Sequence, residues 1–187
     1  MTSTPLRLIG GAQFRAFRCI WMLEELQVPY EILPALPASR KAREYNPSGK
    51  IPALVLTEPA PSLFDDSSNT PLLPTPTIVT ESAVINTFLG DRYPESGLVP
   101  KHGTLQRLRY DQMVMTIMTE LDASALWIHR KHIALGKHFG YVPEIEKPAE
   151  DQFERMNAII MQQLRDSGGP FLLGRDFTAA DICEWWC

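Results

Sequence analysis

The stretch Asn46-Pro47-Ser48-Gly49-Lys50-Ile51-Pro52-Ala53-Leu54-Val55 decides how the first half of the chain is read. Two prolines and a glycine punctuate the backbone just before an apolar, β-compatible run. A turn is therefore expected to feed a strand over residues 51–56. Proline keeps the residue before it out of the helical region, so the polar helix expected over 38–45 must stop at Asn46. Working back, Tyr30 opens a strand over 30–33 behind Pro29. Phe17, Ile20, Trp21, Leu23 and Leu26 recur near helical period, which predicts a helix over 14–26. Residues 6–10 form an apolar strand that runs into Gly10-Gly11. Working forward, a fourth strand is expected over 77–79 and a third helix over 82–93. The order βαβα-ββα, with a helix between the first two strands, predicts a parallel pair joined to an antiparallel hairpin.

Between the last two strands lie nineteen residues, 58–76, rich in Pro, Ser, Asp, Asn and Thr. A hairpin loop of that length is unusual and reads as an exposed insertion, anchored at Leu63-Phe64 and Leu72-Leu73. After a linker at 94–102 the pattern is helical throughout. One long helix is expected over 104–138, with Leu105, Leu108, Met113, Ile117, Leu121, Leu126 and Ile128 on its apolar face. A second is expected over 150–166, with Phe153, Met156, Ile160 and Leu164 on one side and Gly168-Gly169-Pro170 as its stop. The domains are thus 1–93, with the insertion 58–76, and 103–187.

Charged residues make up 21% and hydrophobic residues 44% of the 187, ordinary values for a globular protein. A net charge of −4 gives no electrostatic reason to expect nucleic acid or an anionic membrane as partner. No apolar run approaches the roughly 18–20 residues that span a bilayer. Three scattered cysteines, Cys19, Cys183 and Cys187, argue against a secreted disulfide framework and fit a reducing, cytoplasmic setting. The two terminal cysteines lack further ligands, and His129 with His132 reads as a solvated basic turn, so no metal is expected.

Two further stretches carry chemistry. Thr80-Glu81-Ser82-Ala83-Val84-Ile85 follows a strand and opens a helix, where free backbone amides favour anions; Ser82 reads equally as an N-cap. Near the end, Phe171 to Ile182 contains Thr178 and Asp181 at capping-box spacing, with Phe177 and Ile182 placed as a hydrophobic staple.

Taken in order, these stretches and Phe17-Arg18-Cys19-Ile20-Trp21 with Val28-Pro29-Tyr30 resemble the cytosolic glutathione transferase family from Leu6 to Ile182. The resemblance implies an α+β thioredoxin-like N-terminal domain and an all-α C-terminal domain, here incomplete because family members continue well past the capping box. It implies glutathione as co-substrate, an electrophilic small molecule as acceptor, a homodimer, and a role in detoxification. Glu81 and Ser82 would hold the γ-glutamyl end. Ile51, before a cis Pro52, would pair with the cysteinyl backbone. Lys50 and Arg40 would reach the glycyl carboxylate.

The chain departs from that pattern at the catalytic position. The family's Tyr, Ser or Cys falls here at Gln13 or Phe14, and no Ser, Thr, Tyr or Cys stands between Pro5 and Arg18. Gln13 is left to offer an amide donor to the sulfur, and Phe14 a pocket wall. Cys19 lies more than a turn inside the helix and reads as a buried structural cysteine. Weak conjugating activity is expected. The alternatives are a non-catalytic module for protein association and a glutathione-dependent thiol–disulfide oxidoreductase.

Overall fold

In the computed structural model, residues 6–57 and 76–185 are described. The insertion with its anchors Leu63-Phe64 and Leu72-Leu73, and the terminal Trp186 and Cys187, lie outside them. The chain divides into two compact units, residues 1–89 and 90–187.

The first unit is a four-stranded sheet in the order β2-β1-β3-β4. Its strands are β1 (Leu6–Gly10), β2 (Tyr30–Pro34), β3 (Ala53–Leu56) and β4 (Thr77–Thr80). β1 runs parallel to β2 and antiparallel to β3, and β3 pairs antiparallel with β4. The parallel pair and the hairpin expected from the sequence are both present. What joins them is the β1–β3 ladder. Leu8, Ile9 and Leu54 are wholly buried, as strands at the centre of a sheet covered on both faces should be. Helix α1 (Ala16–Leu26) crosses between β1 and β2, buries Ala16, Cys19, Met22 and Leu23, and ends on Gln27 in the left-handed region. α2 (Arg40–Tyr45) is capped by Ser39, whose hydroxyl accepts the Ala42 amide. α3 (Ser82–Arg92) follows β4 directly.

The second unit is helical. α4 (Leu105–Thr116) starts at Thr104, whose hydroxyl accepts the Arg107 amide. Arg107 is buried and takes the Asp91 carboxylate with two nitrogens, at 2.7 and 3.0 Å, and Asp111 with its Nε at 2.8 Å. Those hydrogen bonds, Asp91 first, hold its guanidinium well above the usual range against the lowering effect of burial.

The helix does not run on regularly as the sequence pattern suggested. Ile117–Leu126 and Arg130–Ala134 are π-helical, separated by α5 (Trp127–His129) and followed by α6 (Gly136–Phe139). Hydroxyls sit on the carbonyls of this region: Thr119 Oγ1 donates to the Met115 carbonyl and Ser124 Oγ to that of Thr119. Such bonds compete with the regular ladder. The apolar face also differs from the one expected. Leu105 and Leu108, expected in the core, are exposed, while Tyr110, Met113, Val114, Ile117 and Leu121 are buried.

α7 (Glu146–Asp166) begins a turn earlier than expected, because Pro148 falls in the first turn, where its missing N–H costs nothing. α8 (Ala179–Trp185) is the last described element. At its start Asp181 accepts the Thr178 amide at 2.9 Å, the Thr178 hydroxyl at 3.0 Å and the Leu172 amide at 2.9 Å. Phe177 packs edge-on against Phe171 at 5.5 Å, and Ile182 is buried.

No helix among the described residues is long and apolar enough to cross a membrane.

Candidate functional site

Sheet register gathers the sequence-nominated residues. Ile9 pairs with Ala53, and Ala53 with Thr80. The C-terminal ends of β1 and β4 and the N-terminal end of β3 therefore meet at one end of the sheet. The segments leaving that end carry Gln13, Ile51 and Glu81. At Gly10 the approach is so close that a Cβ would lie 2.6 Å from the Ala16 Cβ and 3.7 Å from Ile51. Only glycine lets the end of β1, the start of α1 and the turn before β3 converge there.

That turn is built by Asn46. Its side-chain amide donates to the Lys50 carbonyl at 3.1 Å, and its side-chain oxygen accepts the Ser48 amide at 3.1 Å and hydroxyl at 2.8 Å. The Gly49 carbonyl accepts the Ala38 amide at 2.8 Å, tying the turn to the start of α2. The Ile51–Pro52 peptide is cis. The Ile51 side chain packs on Ile9, Ala53 and Val55. Its amide and carbonyl have no backbone partner among the described residues. A pair of free strand-type groups at a sheet end is the arrangement an added extended chain can complete.

Glu81 links β4 to α3 with φ 67, a left-handed backbone that a non-glycine residue adopts at a cost of about 1 kcal/mol or more. Its side chain is exposed and has no ion pair among the described residues. Ser82 is the first helical residue and not an N-cap: its hydroxyl is enclosed and has no hydrogen-bond partner among the described residues. It must turn about χ1 to meet a ligand, whereas the first-turn amides of α3 need no such change.

Gln13 is exposed in the turn closed by the Phe14 amide on the Gly11 carbonyl at 3.1 Å, and Phe14 is half-buried. Among the described residues no side chain caps α1 and no acid stands in its first turn, so its positive end is not neutralised by them. Lys50 is exposed. Arg40 is exposed too and already pairs with Glu44 at 3.6 Å.

The cysteine expected to be structural is so: Cys19 is wholly buried and its thiol lies 3.8 Å from the Ser82 carbonyl. Two features escaped the sequence reading. Arg15 occupies the N-cap of α1. Arg18 is wholly buried, and its carbonyl accepts Asn86 Nδ2 at 3.2 Å. Helical periodicity puts both in plain view as α1 residues, but a charged residue on an amphipathic helix is read as solvated by default.

A cavity of about 440 Å³ lies elsewhere, within the helical unit, lined by Arg109, Gln112, Thr116, Gln163, Asp166 and Leu172 among others. Asp166 there already accepts from Gln162 at 2.8 Å. The sheet end is the better candidate, because its polar groups are left unpaired and its backbone is strained.

Residues 15–92 match the family model described as glutathione S-transferase, N-terminal domain. No curated protein sequence matches the chain significantly. Among solved structures, a glutathione transferase from Methylococcus capsulatus is similar at 25% identity and TM-score 0.72, over 96% of this chain and 78% of that one. A glutathione transferase from Burkholderia graminis, solved with two glutathione molecules per subunit, is 23% identical with TM-score 0.74, over 96% and 69%. One from Phanerochaete chrysosporium, in complex with oxidized glutathione, is 21% identical with TM-score 0.72, over 97% and 77%.

Proposed function

We propose that the chain is a glutathione transferase-like protein, a reading supported by the N-terminal domain match over residues 15–92 and by its fold, and that it binds glutathione and transfers the thiolate to an electrophilic small molecule. The observation that carries this is Glu81: a strained backbone holding an exposed, unpaired carboxylate beside the open amides of a helix start. That combination suits an amino acid head, the carboxylate meeting its ammonium and the amides meeting its carboxylate. The unpaired Ile51 backbone then takes the cysteinyl residue as an added strand would. Lys50 reaches the glycyl carboxylate, joined by Arg40 once it leaves Glu44; the exchange costs little because exposed pairs contribute at most about 1 kcal/mol. The glutathione-bound fold relatives support the reading.

Chemistry requires a thiolate. The free thiol has a pKa of about 8.5, so it is mostly protonated at neutral pH. The uncapped start of α1 favours an anion by about 0.3–1 kcal/mol, and Gln13 adds an amide donor. No hydroxyl from the segment before α1 assists. The proton leaves to solvent, the sulfur forms a bond to the electrophilic carbon, and the displaced group departs with its electron pair. Activation is therefore weak.

A second reading, glutathione-dependent thiol–disulfide exchange, is favoured by the two-glutathione relative. With no cysteine at the start of α1 and Cys19 buried, both sulfurs would come from glutathione and a mixed-disulfide substrate.

Calorimetric titration of glutathione into the wild type and Glu81→Ala, beside assays with an aryl halide and with a glutathione mixed disulfide, tests all of this. Equal affinity in the two proteins overturns the site; turnover of the disulfide alone selects the second reading.

A further inference from the structure

Three ligating side chains that the glutathione reading does not use meet in the helical unit. His129 closes α5, between the two π-helical stretches, and is half-buried. Glu146 and Glu150 stand at i and i+4 at the start of α7, so they share one helix face. One ligating atom from each of the three lies within 4.8 Å of the others. None of these side chains makes a hydrogen bond or ion pair among the described residues. We propose that they hold a divalent transition-metal ion, Zn²⁺ by preference, which pins α5 to α7.

The donor set selects the ion. One imidazole nitrogen and two carboxylate oxygens make a three-ligand site that water completes to four-coordination, a pattern suited to zinc. Calcium wants six to eight oxygens, and magnesium holds water in preference to imidazole. Zinc bonds of about 2.0–2.2 Å place tetrahedral ligand atoms roughly 3.4 Å apart. Closing from the present spacing needs about an ångström of side-chain movement, which two exposed glutamates supply by rotating their χ angles.

Local charge favours a cation. From Glu144 to Glu154 the chain carries five acids, Glu144, Glu146, Glu150, Asp151 and Glu154, against one base, Lys147. That lysine is already paired with Asp151 at 2.7 Å. Two like charges at i,i+4 repel, and a divalent ion between them converts the repulsion into a bridge. The bridge would matter mechanically, because His129 lies in only three residues of regular α-helix between two wider, loosely wound stretches.

The test uses the full chain, stripped with a chelator, checked by circular dichroism and titrated with Zn²⁺ by calorimetry and with Co²⁺ by visible absorption. We expect one ion per chain, the visible bands of a four-coordinate nitrogen–oxygen site, and a thermal midpoint several degrees higher that EDTA reverses. His129→Gln, and separately the exposed Glu146→Gln, should weaken binding at least tenfold; His102→Gln should leave it unchanged. The proposal is overturned by a wild type that binds no ion stoichiometrically, or by undiminished binding in both site variants. A thiolate-to-cobalt charge-transfer band would overturn it as well, since it would move the ion to a cysteine.

Discussion

At the start of α8 the Asp181 carboxylate takes three hydrogen bonds, two from Thr178 and one from the Leu172 amide. At the start of α3 the Glu81 carboxylate takes none among the described residues, and the neighbouring Ser82 hydroxyl is enclosed without a partner. Both are hydroxyl–acid pairs at a helix N-terminus, and both sit where backbone amides lack helical partners. One spends its hydrogen-bonding capacity on the chain itself and locks the 171–178 loop to the helix. The other holds that capacity open, at the cost of a left-handed backbone at Glu81. A structural lock and a ligand site use the same residue types. What separates them is whether the polar groups are satisfied from within.

The comparison breaks most visibly at the lock. Asp181→Ala would leave the Thr178 amide and hydroxyl and the Leu172 amide unpaired, with Thr178 buried. At about 1 kcal/mol each, a loss of about 3 kcal/mol is expected in urea denaturation, with glutathione affinity unchanged. A loss below about 1 kcal/mol would mean that water replaces the carboxylate and the lock is nominal.

At the open helix start the signs reverse. Glu81→Ala should cost glutathione roughly 1.5–3 kcal/mol of binding while leaving stability nearly unchanged. Glu81→Gly, which relieves the φ of 67, should raise stability by about 1 kcal/mol and still bind poorly. Titration calorimetry and denaturation of the same two variants separate the effects, and a destabilised Glu81→Gly would show that the strain is not there.

A smaller effect is expected at Gln13. Wild-type conjugation should climb about tenfold per pH unit below the free thiol pKa of about 8.5. Gln13→Ser should lift the rate at pH 7 severalfold if a hydroxyl there reaches the sulfur. A wild-type rate that is flat between about pH 6 and 8 would falsify weak activation.

The smallest change sharpens the contrast within the first unit, where Tyr30 donates to Glu24 at 2.5 Å and so satisfies a carboxylate that Glu81 does not match. The phenol is raised from 10.0 to about 12, by burial first and then by the hydrogen bond to Glu24. Because the fold favours the protonated phenol, this contribution is complete below pH 10 and is lost as pH rises toward 12. Tyr30→Phe should cost about 0.5–1 kcal/mol at neutral pH and abolish that alkaline component in pH-dependent denaturation.

Much of this was legible in the residue order. Alternation of apolar runs with helical periods, punctuated by Pro29, Asn46-Pro47 and Gly49, determined the four strands and the helices between them, because turn chemistry and periodicity are local properties. Thr178 and Asp181 announced their helix start for the same reason. Position Gln13 likewise declared the missing hydroxyl. Only the tertiary structure decided that β1 sits between β2 and β3, and therefore that Gln13, Ile51 and Glu81 share one end of the sheet. It decided that Leu105 and Leu108 face outward, since the buried stripe of α4 runs through Arg107, Tyr110, Met113 and Val114. It buried Arg18, which composition would leave in water. It also brought His129 beside Glu146 and Glu150, seventeen and twenty-one residues away in the chain. Those outcomes depend on which surfaces meet, and side chains far apart in sequence acquire neighbours only when the elements that carry them pack.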